Sequence, residues 1–94
     1  MNLSVRVLNE IRTFAKKHGV LKVILFGSRA SGANSERSDV DIAVSGGDFS
    51  GFYWDIQEKI HSLLIFDVIN LSGAVSDKLK EEISKGGTII YEET

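Results

Sequence analysis

Residues 27–44 read GSRASGANSERSDVDIAV, and this stretch decides the fold. It opens with Gly27-Ser28 directly after an apolar run. Ten residues then lead to Asp39-Val40-Asp41, at the head of a second apolar run. Side chains two apart on a strand point to one face. Asp39 and Asp41 therefore share a face, and Val40 and Ile42 take the other. A glycine turn that feeds paired carboxylates points to metal-dependent chemistry on a nucleoside triphosphate.

Working outward, residues 20–26 hold β-branched Val23 and Ile24 between Gly19 and Gly27. Apolar on both faces, this run reads as a strand in the middle of a sheet. Residues 28–30 begin a short helix, residues 31–38 form a polar turn with Gly32, and residues 40–44 make the second strand. Upstream, residues 3–17 read as an amphipathic helix with Val7, Leu8, Ile11, Phe14 and Ala15 on one stripe. Ser4 is its expected N-cap, His18 a cap-region residue, and Gly19 its left-handed terminator.

Downstream, Gly46-Gly47 breaks the chain. Residues 52–64 read as a second long helix with Phe52, Ile56, Ile60 and Leu63 on its stripe. Trp54 lies off that stripe with Tyr53 beside it, as cover for a loop or as a partner surface. A third strand is expected at residues 66–70. A helix capped by Ser72 or Ser76 follows, with Leu79 and Ile83 inward, and Gly86-Gly87 stops it. Residues 88–91 make a final edge strand. This order predicts an α/β (α+β) fold: a small mixed sheet of about four strands with helices packed on it, and residues 1–94 as one domain.

The third strand carries Asp67 between apolar Phe66 and Val68. If the strands are neighbours, Asp39, Asp41 and Asp67 converge on one side. Three such carboxylates repel one another and need a counter-charge. Mg²⁺ supplies it through oxygen ligands, with substrate phosphates completing its shell. Gly27 lets the backbone approach a phosphate, the N–H groups after it favour anions, Ser28 adds a hydroxyl, and Arg29 can pair with phosphate oxygens. Asp67 is also a candidate general base. A lone Gly-Ser turn carries little, and a lone Asp-x-Asp commonly caps turns. The joint pattern is what is specific, because a lone buried charge inside an apolar strand is costly.

The 94 residues include no cysteine, which excludes disulfides and thiolate metal sites and leaves oxygen ligands, His18 or His61. Hydrophobic content of 43% argues against disorder, and no run of about 18 apolar residues encodes a membrane span. The N-terminus lacks a signal peptide's apolar middle, so a cytoplasmic protein is expected. Residues 1–37 carry a net +5 and residues 38–94 a net −7. Without a net basic balance, nucleic acid is not the expected direct partner.

Gly27-Ser28, Arg29-Ala30-Ser31-Gly32 and Ser38-Asp39-Val40-Asp41 resemble the signature of the DNA polymerase β-like nucleotidyltransferases. The short length makes the chain similar to the minimal nucleotidyltransferase (MNT) group, including the MntA-like antitoxins of HEPN/MNT systems, over nearly all of its length. The resemblance implies Asp39, Asp41 and Asp67 as catalytic metal ligands, with room for two Mg²⁺ ions. It implies Gly27, Ser28, Arg29 and Ser38 on the nucleotide, and ATP as substrate. It further implies a HEPN-domain toxin as partner, with AMP transferred to a toxin tyrosine by a type VII-like antitoxin; a homo- or hetero-oligomer is open. Two alternatives stand beside it. One is neutralisation of the toxin by complex formation without essential catalysis. The other is transfer to RNA ends or an aminoglycoside-like molecule.

Overall fold

The computed structural model describes residues 3–33, 39–60 and 62–93. Its order is α1 (Val5–Lys17), β1 (Lys22–Phe26), α2 (Ser28–Ser31), β2 (Val40–Ser45), α3 (Phe49–Lys59), β3 (Phe66–Asn70), α4 (Asp77–Gly86) and β4 (Thr88–Glu92). Each long helix starts at an oxygen-bearing cap: Ser4 accepts from Val7 N–H, Asp48 from Gly51 N–H and Ser76 from Leu79 N–H. The sheet order is β3-β2-β1-β4. β1 runs antiparallel to both neighbours, and β2 pairs β3 in parallel. That parallel pair needs a crossover, which α3 provides. The central placement of β1 and the edge placement of β4 are as expected.

Register assigns the two faces. Val23, Leu25, Val40, Ile42 and Val44 pack with Ile11 of α1 and Phe52 and Ile56 of α3 into the main core. On the other face a smaller cluster joins Phe26, Ala43 and Ile83, with Ile24, Ile69 and Leu79 beside it. The sheet is thus covered by α1 and α3 on one side and by α4 on the other. Phe52 is fully buried in the main core. Phe52→Ala is expected to cost about 3–5 kcal/mol, a large share of the roughly 5–15 kcal/mol of a small domain. Urea denaturation checks this.

The second long helix differs from the sequence expectation. It spans Phe49–Lys59 rather than residues 52–64, because Asp48 caps it early and Ile60 already turns extended, at φ −78° and ψ 119°. Ile60 remains in the core, but Leu63 lies past the helix and is wholly exposed, off the apolar stripe. Trp54 is 58% exposed and stands edge-on to Tyr53 with ring centroids 5.3 Å apart. Among the described residues no helix is long and apolar enough to cross a membrane.

A polar cluster ties the two helices of the main-core side together. His18 Nε2 lies 2.6 Å from Asp55 Oδ2, and Lys59 and Lys17 ammonium groups reach Asp55 at 3.0 and 3.2 Å. The His18 bond, then Lys59, hold the Asp55 carboxyl well below the usual carboxylate range despite its burial. His18 is therefore the α1 cap residue expected, with a further role in anchoring α3. This accounts for His18 and Asp55 as structural groups on the side away from the aspartate-bearing face. His61 lies outside the described residues.

Candidate active site

The site begins where β1 ends. Phe26 pairs with Asp41 across the antiparallel ladder, and Asp41 pairs with Asp67 across the parallel one. Paired residues on adjacent strands share a face. Asp41 and Asp67 therefore stand side by side on the α4 face, and Asp39, two residues before Asp41, belongs to the same face. The alternation in the sequence dictates this: Val40 and Ile42 are both fully buried in the opposite core. Asp41 is half-buried, whereas Asp39 and Asp67 are exposed.

Gly27 closes over Asp41. Its backbone sits at φ 77° and ψ −155° as the cap of α2, a region open in practice only to glycine. A Cβ there would lie 2.5 Å from Asp41 Oδ2. The missing side chain thus makes room for the carboxylate. From Gly27 the chain turns tightly: Ser31 N–H donates to Gly27 C=O at 3.3 Å, and Ala33 N–H to Ser28 C=O at 3.0 Å. The first N–H groups of a helix lack intrahelical acceptors, so this turn presents donors beside the carboxylates. An open cleft of about 430 Å³ runs past Phe26, Gly27, Ser31 and Asp41.

The electrostatics concentrate on Asp41. Its carboxyl is pushed up to about 6, first by burial, then by the charge of Asp67 and a hydrogen bond with it, then by Asp39 and Glu82. Negative charge is in excess at one point, and every donor is oxygen. That donor chemistry fits a hard divalent cation. Among the described residues no three His, Asp or Glu side chains are already gathered into a metal-binding group, so Asp39, Asp41 and Asp67 are neighbours on one face rather than a closed cage.

The nucleotide-side residues are placed more unevenly. Ser31, expected in the polar turn, is the last residue of α2 and lines the cleft with Gly27, whereas Ser28 is half-buried in the first turn of α2. Arg29 is only 6% exposed. Its guanidinium is held within the fold rather than displayed to solvent. Ser38 lies outside the described residues. Glu82, on α4, is the acidic neighbour that sequence reasoning missed, because only tertiary packing brings it to β2.

Comparison with known proteins agrees with this geometry. The family model "Polymerase beta, Nucleotidyltransferase" matches residues 9–94. No curated protein matches. Among solved structures, a toxin–antitoxin crystal structure with AMP-PNP is 25% identical, with a TM-score of 0.73 over 92% of this chain and 73% of that one. A toxin–antitoxin MntA-HpeT mutant is 25% identical, with a TM-score of 0.69 over 90% of this chain and 72% of that one. A nucleotidyltransferase from Sulfolobus solfataricus, 16% identical with a TM-score of 0.52 over 94% of this chain and 82% of that one, shares the fold. By the match over residues 9–94, joined to a sheet that sets Asp41 beside Asp67 beneath Gly27, this chain belongs to the polymerase β nucleotidyltransferase family.

Proposed function

We propose that the chain is a protein adenylyltransferase that moves AMP from ATP, with Mg²⁺, onto a tyrosine hydroxyl of a HEPN-domain toxin and so acts as its antitoxin. The observation that carries this reading is the β2–β3 register, which pairs Asp41 with Asp67 on the face that Gly27 covers. Two of the solved structures it resembles are toxin–antitoxin structures, one of them with AMP-PNP.

In this reading Asp39, Asp41 and Asp67 hold the metal. When bound, Mg²⁺ neutralises the carboxylates and polarises the phosphate oxygens. Gly27 and the N–H groups after it would receive the phosphate chain together with the Ser28 hydroxyl, and Arg29 and Ser38 are the further residues assigned to the nucleotide. The acceptor oxygen forms its bond to the α-phosphorus, the bond to the β-phosphate oxygen breaks, and pyrophosphate leaves. Asp67, exposed at the sheet edge, takes the hydroxyl proton. The chain acts as a single domain over residues 1–94.

The test is incubation with α-phosphate-labelled ATP, Mg²⁺ and the HEPN partner. Label is expected on the toxin and is expected to disappear with Asp39→Asn plus Asp41→Asn. Label transfer that survives the double substitution would sink the assignment. A second reading, neutralisation by contact alone, is favoured by the exposed Trp54 on α3, which stands edge-on to half-buried Tyr53. It predicts that the double-aspartate variant still rescues toxin-expressing cells. Loss of rescue with the complex intact excludes it.

A further inference from the structure

The cleft at Asp41 has a second wall, formed by the C-terminal turn of α4. Glu82, Lys85 and Gly86 line the same 430 Å³ space as Gly27 and Asp41. Building on the nucleotidyltransferase reading, we propose that Lys85 is a substrate-binding residue, the cationic contact for the polyphosphate chain of the nucleotide.

Charge is the first argument. Among the described residues lining the cleft, Lys85 is the basic one, in a lining that also holds the carboxylates of Asp41 and Glu82. A triphosphate entering beside those carboxylates is repelled by them, and the metal offsets only part of its charge. A lysine ammonium at the rim supplies a mobile point charge for phosphate.

Anchoring is the second argument. Ile83 is 4% exposed beneath α4 and packs with Phe26 and Ala43. Gly87 N–H donates to Ile83 C=O at 2.9 Å, and a side chain on Gly87 would collide with Ile83 C=O and Ile24. The end of α4 is therefore clamped onto β1, the strand that leads into Gly27. The base of Lys85 is fixed while its stem remains long enough to reach inward.

Availability is the third argument. Lys85 pairs with Glu81 one turn back, and the two side chains are 74% and 60% exposed. An ion pair so open to water is weak, so the ammonium can leave it for a phosphate at little cost. Glu82 works in the opposite sense, as a negative wall that disfavours an anion without its metal.

The test is calorimetric binding of Mg²⁺-AMP-PNP and of Mg²⁺-pyrophosphate to the whole chain. Lys85→Ala is expected to weaken both ligands about tenfold, the loss of one charge-assisted contact. Lys85→Arg is expected to restore most of the affinity. Lys78→Ala, which removes an equal charge from α4 outside this cleft, is expected to leave both affinities unchanged. Wild-type affinity in Lys85→Ala overturns the proposal, and so does an equal loss in Lys78→Ala, which would mark a general field effect. If the wild type binds neither ligand, the nucleotide reading falls with it. If the wild type binds both and Lys85→Ala does too, this proposal alone falls.

Discussion

Replacing Gly27 with alanine is expected to cripple transfer and weaken the fold together. The backbone at Gly27 sits at φ 77° and ψ −155°, where a side chain costs of order 1–3 kcal/mol. The added Cβ would stand 2.5 Å from Asp41 Oδ2 and 3.4 Å from its Cγ. Either the carboxylate or the loop must move. A displacement near 1 Å at a reacting centre can cost roughly 10²-fold in rate. Gly32→Ala separates the two causes. Gly32 also has a positive φ, of 81°, but no described atom lies within 4 Å of its added Cβ. Gly32→Ala is therefore expected to lose stability and keep most of the transfer, whereas Gly27→Ala loses both. Thermal unfolding and initial rates on the same preparations check the pair, and wild-type transfer by Gly27→Ala would contradict the placement of Asp41.

Asp41→Asn is expected to move stability and activity in opposite directions. The folded carboxyl is raised from 3.8 to about 6. A raised carboxyl favours the folded state fully below the unfolded value and loses that advantage as pH rises through the folded one. In metal-free buffer the wild type should weaken between about pH 4 and 6, and the asparagine variant should not. Above that window the variant should melt higher. Solvent screening at a half-exposed group keeps the difference below the full linkage value. Transfer should fall roughly 10²–10³-fold, since the variant would lose a carboxylate that holds the metal against the charge developing on the phosphate oxygens. Mg²⁺ should raise the melting temperature of the wild type and not of the variant. A variant less stable than the wild type at pH 8 without metal would contradict the excess of negative charge.

Much of this arrangement is legible in the sequence. The alternation Asp39-Val40-Asp41-Ile42 separates carboxylate and core faces by strand geometry alone, and Phe66-Asp67-Val68 repeats it. Residues 20–26, apolar on both faces, point to a central strand, which is where β1 lies. The neighbouring of β2 and β3 was needed for the site and is a tertiary fact, although a single crossover helix made it natural. What was not legible depended on distance along the chain. Asp55 reads as a polar break in a helical stripe until His18, Lys17 and Lys59 are seen around it. Glu82 and Lys85 come to the cleft only because α4 packs against the sheet through Ile83, a contact that local sequence does not specify. The early start of α3 depends on the cap at Asp48, which directly follows two glycines and so looks like part of the break in the chain.

The most direct measurement is a crystal structure of the chain with Mg²⁺ and AMP-PNP. The account predicts metal held between Asp39 and Asp41 with Asp67 beside it, and phosphates over the Gly27–Ser28 turn. Nucleotide bound elsewhere, or metal held without Asp41, would contradict it.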